Sequence, residues 1–312
     1  MASSSAQTAA RAQRARPRPP APIGRRVRRR FSGSGSGYLL VLPAMLAAIA
    51  FLYVPMALSA YWSFTDFNGL VPPKWVGLAN YKELLTDPLF LQAVRNTAIF
   101  VLLAQGIGPI LGLASAVLLN NKLRLQALFR AAYFIPVMTS LVVVATIWKM
   151  LLNSNGLVNV VFGFFHLPTT SWLNNPSTAL PSVVVTSVWQ GFGFETVIFL
   201  AAMQAIPREY YEAALIDGAS AWGRFRHVTL PGLRRTIIFV YVIGIIQASQ
   251  VFDQVFVMTQ GGPIESTNTV VNELVNRFNS LQLGQASAIA YLLAVVLALV
   301  SFLQIRVFES RE

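Results

Sequence analysis

The side chains able to do chemistry in this chain are carboxyls and amides rather than thiols or imidazoles. The 312 residues contain no cysteine and two histidines, His166 and His227, set in different loops. Disulfides, thiolate metal sites and a cysteine nucleophile are therefore excluded, and a histidine-based metal site is not expected. Inside long apolar stretches stand two acids, Glu195 and Asp253, and the stretch that holds Asp253 also carries the amides Gln247, Gln250 and Gln254. The amides recur at i, i+3 and i+7, within about 60° of one helix face, and Asp253 lies off that stripe. Glu195 closes the segment Val188-Trp-Gln-Gly-Phe-Gly-Phe-Glu195. A carboxylate at bilayer depth costs on the order of 3 kcal/mol, so it must face protein or water. Beside Trp189, Phe192 and Phe194, such groups suit a polyhydroxyl solute, whose hydroxyls seek hydrogen bonds and whose C–H faces seek aromatic surface. The same residues also suit interhelical hydrogen bonding with no solute involved.

Long apolar elements must position these groups. Hydrophobic residues make up 55% of the chain and charged residues 12%, with a mean hydropathy of +0.57. A soluble domain carries about 25% charged residues, so the surplus apolar surface must face lipid. No Asp, Glu, Lys or Arg occurs over residues 38–65, 96–121 or 278–305. Each run exceeds the roughly 20 residues a helix needs to cross ~30 Å of hydrocarbon. With three further segments, the expected fold is an all-α integral membrane protein of six spans, at about 38–62, 96–119, 133–152, 181–205, 236–258 and 287–307. Gly108 and Gly112 in the second span form a small-xxx-small step that lets another helix, from this subunit or a neighbour, approach closely. No internal repeat or broken helix is evident.

The formal net charge is +12, but its placement argues against a nucleic-acid partner. Nine arginines precede the first span with no acid among them. Lys122, Arg124 and Arg130 follow the second span, Arg208, Arg224, Arg226, Arg234 and Arg235 the fourth, and Arg306 and Arg311 the last. Nineteen of the 24 basic residues thus share one side, against Lys74, Lys82, Arg95, Lys149 and Arg277 on the other. Basic residues near span ends stay in the cytoplasm, so both termini are expected inside, as an even number of spans requires. Residues 1–37 are low-complexity Ala, Ser, Arg, Pro and Gly, expected to form a disordered basic cytoplasmic tail near anionic lipid. The apolar stretch behind them is too long for a cleaved signal, so the first span is expected to be retained. The loops at 153–180 and 259–286 are long for mere connections. Trp172, Leu173 and the patterned stretch 268–281 either meet a partner protein or cap the bundle.

Between the fourth and fifth spans lies residues 206–231, Ile-Pro-Arg-Glu-Tyr-Tyr-Glu-Ala-Ala-Leu-Ile-Asp-Gly-Ala-Ser-Ala-Trp-Gly-Arg-Phe-Arg-His-Val-Thr-Leu-Pro. Pro207 suits a helix start and Gly218 the residue after a helix ends. Tyr211, Ala214 and Leu215 form one stripe, opposite Arg208, Glu209 and Glu212. Small Ala213 and Ala214 allow deep seating in a partner's groove. Ser220 suits the cap of a second short helix running to Phe225, with Pro231 ending the unit. The result is an amphipathic helix–turn–helix at the cytoplasmic surface, resting either on a partner protein or on lipid headgroups.

This loop resembles the signature loop of ABC-importer permeases: Glu-Ala-Ala, three residues, Gly, nine residues, Ile, one residue, Leu-Pro. Glu212, Ala213, Ala214, Gly218, Leu230 and Pro231 fall at those spacings, Asp217 and Ala219 match the common Asp-Gly-Ala form, and Val228 replaces Ile. Tyr61-Trp-Ser-Phe-Thr-Asp-Phe67, Val76-Gly-Leu-Ala-Asn-Tyr81, Arg95-Asn-Thr97, Phe252-Asp253 and Thr259-Gln-Gly-Gly-Pro263 followed by Thr267 narrow the resemblance to carbohydrate-uptake permeases. The likeness is to the first permease of maltose- and glycerol-3-phosphate-type systems. It implies a type I importer architecture in the plasma (inner) membrane, with residues 206–231 as the ATPase-coupling loop and 38–312 as the permease domain. It also implies four kinds of partner: a second similar permease, two copies of a cytoplasmic ATPase, an extracytoplasmic sugar-binding protein and membrane lipid. The chain has no Gly-x-x-x-x-Gly-Lys-[Ser/Thr], since the Gly33-Ser-Gly-Ser-Gly37 run lacks the Lys. No cofactor is therefore expected on this chain: ATP and Mg belong to the partner ATPase, and the chain is not expected to be an enzyme. Gln247, Gln250, Asp253, Glu195 and Trp189 are the expected solute-pathway residues. A self-sufficient secondary transporter or channel is the alternative, and which sugar is carried is not written in the sequence.

Overall fold

The structure, a computed structural model, describes residues 34–120 and 126–309. Residues 1–33 of the expected tail 1–37, and Lys122, Arg124 and Arg311, lie outside the described residues. The chain divides into two units, Met1–Met56 and Ala57–Glu312. Helix α1 (Ser34–Ala48) and a π turn, Ile49–Tyr53, lie in the first, and α2 (Val54–Trp62) begins there and ends in the second. Helix therefore begins four residues before the expected first span. The long apolar run propagates a turn into Ser34–Gly37 despite their weak helix propensity.

From Ala79 the described elements are α3 (Ala79–Leu84), α4 (Pro88–Leu119), α5 (Gln126–Met138), α6 (Leu141–Leu151), α7 (Leu157–Phe164) and α8 (Pro176–Gln204). They continue as α9 (Arg208–Ile216), α10 (Ala221–Arg224), α11 (Leu230–Gly232), α12 (Arg234–Ser249), α13 (Asp253–Met258), α14 (Val270–Asn279) and α15 (Leu283–Glu309). Among the described residues there is no strand, only an isolated bridge between Thr65 and Trp75. The two longest helices start alike. Asp87 accepts from Leu89 N at 2.9 Å with Pro88 behind it, and Asn175 accepts from Ser177 N at 3.0 Å with Pro176 behind it. In each, a side-chain cap takes one orphan N–H, and proline occupies a position where no N–H is needed.

Among the described residues, four helices are long and apolar enough to cross a membrane, Leu40–Trp62, Pro88–Leu119, Pro176–Gln204 and Leu283–Gln304, or up to six if bent pairs count as one span each. The expected straight span at 133–152 is a bent pair, Ala131–Met138 and Leu141–Leu151, turned by 107°. Pro136 removes a backbone donor just before the corner. Tyr133 O approaches Gly193 of α8 so closely that any Cβ there would overlap it, which fixes the first half of the pair against α8. Broken helices thus exist where none was evident from sequence.

Three apolar clusters organise Ala57–Glu312. One joins Phe100 and Ala104 of α4 to Val183, Val184 and Val188 of α8 and to Val251, Val255 and Met258. A second joins Ala116 and Leu119 of α4 to Phe199, Leu200 and Met203 of α8 and to Leu233 and Val240. Residue numbers rise together along α4 and α8, so the two helices run parallel, while the chain from Leu233 to Met258 runs against them. The third cluster holds Leu84, Phe90, Val270, Ala288 and Ile289.

At that end a buried polar lattice fixes the loop before α14. Asn96 Nδ2 donates to Glu265 O and Asn268 O at 2.8 and 2.9 Å, and Thr97 Oγ1 accepts from Val270 N at 2.9 Å. Asn268 donates to Glu273 at 2.9 Å and Asn272 to Asn268 at 2.8 Å. Arg277 joins Glu273 at 2.7 Å and Asp87, tying α14 to the start of α4. Burial opposes the Arg277 charge, but its bonds to Glu273 and Asp87 outweigh that and raise its pKa above the usual arginine value. Asn268, Thr269, Val270 and Asn272 are interior here, and Trp172 donates to Asn159 Oδ1 at 2.8 Å within its own loop.

Candidate functional site

A cavity of about 520 Å³ opens between the first two clusters, walled by α4, α8, α12 and the connection into α13. Span five was expected as one helix over 236–258. It breaks instead after Ser249: Gln250 ends α12, Phe252 has φ −138° and ψ −57°, and α13 starts at Asp253. Neither Gly nor Pro marks the break. Thr269 Oγ1 donates to Val251 O at 3.1 Å, replacing a ladder bond that the break costs. Gln247, Gln250 and Gln254 therefore do not share one straight helical face, yet all three line the cavity, together with Asp253 and Glu195. Trp189 is not among the lining residues. It packs edge-on against Trp148, centroids 5.5 Å apart.

Small residues make room for the polar groups. A Cβ on Gly108 would lie 3.2 Å from both Glu195 carboxylate oxygens, and one on Gly112 would lie 2.7 Å from Glu195 Cβ. Gly244 of α12 likewise admits Gln105, whose Cδ lies 2.7 Å from the position of its absent Cβ. Glu195 Oε2, Gln105 Oε1 and Ser187 Oγ are buried without a hydrogen-bond partner among the described residues. Buried acceptors of this kind are costly unless a ligand or water supplies donors. Gln105, Ser187 and Gln190 were missed from sequence. A glutamine inside the charge-free run 96–121 was the available signal.

At the other end of α4 and α8, the loop 206–231 folds as a helical corner. Helix α9 closes with Gly218 at φ +76°, Ala219 N donating to Ala214 O at 2.8 Å and Gly218 N to Leu215 O at 3.0 Å. That is a Schellman closure, and the left-handed residue is the glycine it favours. Ser220 Oγ accepts from Gly223 N at 3.1 Å, capping α10 as its type suggests. The second helix does not stop at Phe225, as expected. It continues through a π turn, Phe225–Thr229, into α11, and the bend of 64° comes before Arg234. The i→i−5 bond from Leu230 N to Phe225 O widens the ladder just before Pro231, which has no N–H to give. Val54 N bonds Ile49 O in the same way before Pro55.

Tyr211 Oη and Thr229 Oγ1, 3.0 Å apart, hold the two arms of the corner together. Tyr211 and Ala214 are half-buried, whereas Leu215 faces outward with Ile216 (54% and 88% exposed), a departure from the expected stripe. Ala213, Ala214, Asp217 and Pro231 line a cleft of about 620 Å³, while Glu212 is exposed, Gly218 has open space around it and Ala219 is half-buried. Leu230 is 38% exposed. Exposed Tyr210, Ile216 and Trp222 give this end an apolar surface with Glu209 and Glu212 at its side.

The model of the family described as binding-protein-dependent transport system inner membrane component matches residues 108–312. The chain belongs to that family. It is a multi-pass inner-membrane component, and its matched region contains the helical corner and all of the cavity lining except Phe100, Ala104 and Gln105. A probable ABC transporter permease protein of Pyrococcus horikoshii is 36% identical over 263 residues, covering 83% of this chain and 90% of that protein. The trehalose/maltose transport system permease protein of Thermococcus litoralis is 33% identical, covering 88% and 94%. The multiple sugar-binding transport system permease protein of Streptococcus mutans is 36% identical, covering 88% and 96%. Among solved structures, a bacterial ABC transporter involved in import of the acidic polysaccharide alginate is similar with a TM-score of 0.80 at 23% identity, covering 88% of this chain and 96% of that one. At that identity the likeness is one of fold. The relatives are permeases, subunits that form the membrane passage and are not themselves catalysts.

Proposed function

We propose that this chain is the permease subunit of an ATP-driven, binding-protein-dependent importer of a sugar or sugar-like solute. It would form half of the translocation pathway and couple to a separate ATPase through residues 206–231. The observation that carries this reading is the cleft-forming corner, in which Gly218 closes α9 and the apolar Tyr210, Ile216 and Trp222 are left exposed. Exposed large apolar side chains grouped in one short corner suit a protein groove better than water. The sugar class is supported by the relatives named for trehalose/maltose and multiple-sugar transport.

Six spans are supported by the helix directions. Because α4 and α8 run parallel, the chain between them must cross back once, and the bent pair α5–α6 supplies that crossing. The chain from Leu233 to Met258 supplies the next. With Leu40–Trp62 and Leu283–Gln304 the count is six, and both termini then share the side where basic residues accumulate. In the assembly we propose, a second similar permease completes the passage and two ATPase copies hold the corners. An extracytoplasmic binding protein delivers the solute; a solved structure of the alginate transporter includes a periplasmic protein bound to alginate pentasaccharide. ATP and Mg would reside on the ATPase, and no cofactor on this chain. Closure of the ATPase dimer would move the two corners and switch the cavity between sides.

Purification of the tagged chain in mild detergent, followed by mass spectrometry of co-purifying proteins, tests this. An ATPase and a second permease are expected. Solute uptake that persists after deletion of the co-purifying ATPase would instead support a self-sufficient transporter.

A further inference from the structure

The ionisable groups that this chain gives to the cavity wall are all acids. Its ionisable lining groups are two carboxyls, Glu195 and Asp253, accompanied by five amides, Gln105, Gln190, Gln247, Gln250 and Gln254. No Lys, Arg or His lies among the lining residues. The base on the neighbouring helix, Lys149, turns away: its Nζ donates to Val257 O at 2.9 Å and it borders a separate small cleft. The aromatic surface is Phe100, Phe192, Phe194 and Phe252. Two buried acceptors, Glu195 Oε2 and Gln105 Oε1, have no donor among the described residues.

We infer that this cavity selects by charge, accepting neutral or amino-bearing sugars and rejecting carboxylated, sulfated or phosphorylated ones. The inference rests on the reading of the cavity as the solute pathway. Hydroxyl and ammonium groups are donors, and they satisfy the acceptors left open on α4 and α8. A carboxylate or phosphate brings only further acceptors and negative charge into a space bounded by low-dielectric helices, where Coulomb repulsion is screened far less than in water. Amides alone would not discriminate, because each offers a donor as well as an acceptor. The discriminating groups are therefore Glu195 and Asp253, and they stand on different walls, α8 and the start of α13.

The chain has no cysteine, so a single introduced thiol can report the potential of the cavity. Gly191 lines it, and a Cβ there meets nothing within 4 Å, so Gly191→Cys places a thiol in open space. Gln250→Cys, at the helix break, is the second reporter should the first perturb folding. In membranes containing the full-length chain with its partners, each thiol is treated with the trimethylammonioethyl, methyl or sulfonatoethyl methanethiosulfonate. The thiolate attacks the sulfenyl sulfur, forms the mixed disulfide and releases methanesulfinate. Normalised to a free thiol in solution, the cationic reagent is expected to react faster than the anionic one by on the order of tenfold. The methyl reagent should fall between them, and Glu195→Gln with Asp253→Asn should return the ratio toward its solution value. Equal normalised rates at both reporters, or a bias that survives the double substitution, would overturn the inference. Silence of both thiols toward all three reagents would also overturn it, since the cavity would then admit no solute. A flat ratio leaves ATP-driven import untouched, whereas ATPase-independent uptake sinks the proposed function whatever the ratio.

Discussion

Glu195 of α8 sits in a notch cut from α4 by two glycines, its Cβ 2.7 Å from where a Gly112 Cβ would be and its carboxylate oxygens 3.2 Å from that of Gly108. The two contacts differ in kind. At Gly112 the obstacle lies against the α8 backbone, whose Glu195 carbonyl carbon is 3.3 Å away. At Gly108 it is the end of a side chain that can rotate. Gly112→Ala must therefore push the helices apart, at a typical overpacking cost of 1–3 kcal/mol. Gly108→Ala needs only a small movement of the carboxylate, and the roughly 1 kcal/mol gain in helix propensity offsets part of that. Thermal unfolding in detergent should show Gly112→Ala clearly destabilised and Gly108→Ala close to the parent. Equal losses would mean that the notch is not fitted to Glu195.

Gly218 closes α9 with φ +76° and open space around it. Steric clash with neighbours is therefore not at stake in Gly218→Ala, only backbone strain of about 1–2 kcal/mol. That strain should fray the end of α9, and with it the placement of Asp217 and Ala219. Membrane insertion and yield should be unchanged, while ATPase co-purification falls several-fold. A bulky residue at exposed Glu212 should have the same effect by blocking the seat itself. Unchanged co-purification and uptake in both variants would remove the coupling role.

How much of this was legible in sequence depended on the range of the causes. The Gly218 closure and the Ser220 cap follow from local backbone rules, so residue type and spacing disclosed them. Gly108 and Gly112 announced a close approach, but only tertiary packing could say that the group filling the notch is Glu195. The break after Ser249 has no Gly or Pro to mark it. It rests on a bond from Thr269, eighteen positions away. Pro136 stands just before the corner at Thr139–Ser140, but a proline inside an apolar span does not by itself declare a break, and the tight contact of Tyr133 O with Gly193 has no local signal. Asn96 and Thr97 were noticed as part of a resemblance, while their physical role, holding the loop before α14, needed the structure.

Arg277 joins Asp87, Glu273 and Gln285, and Glu273 is only 4% exposed. Arg277→Met should therefore destabilise the α14 end by about 3–5 kcal/mol, because it leaves a carboxylate buried without its partner. Adding Glu273→Gln should recover part of that loss. The pKa of Arg277 is raised in the fold, so its stabilisation is fully present below the ordinary arginine value and fades only as pH rises through the higher folded one. Thermal unfolding of the parent should accordingly show no pH dependence arising from Arg277 between about pH 5 and 9, its contribution being constant there. If Arg277→Met unfolds at the parent temperature, the network is ornamental.

Gln247, Gln250 and Asp253 approach the cavity from both sides of the break in the fifth apolar segment. If they serve only to join helices, alanine at each should lower stability and leave the kinetics of uptake alone. If they hold solute, alanine should lower uptake while the complex stays assembled, since a lost hydrogen bond to a solute is worth about 0.5–1.5 kcal/mol, a factor of two to ten. Gln250 discriminates best. It caps α12 with backbone φ −102° and ψ +16°, a conformation open to alanine, so Gln250→Ala removes the amide without disturbing the break. Uptake reduced two- to tenfold with unchanged ATPase co-purification and melting temperature is the expected result. Wild-type transport kinetics in all three variants would assign these side chains to structure alone.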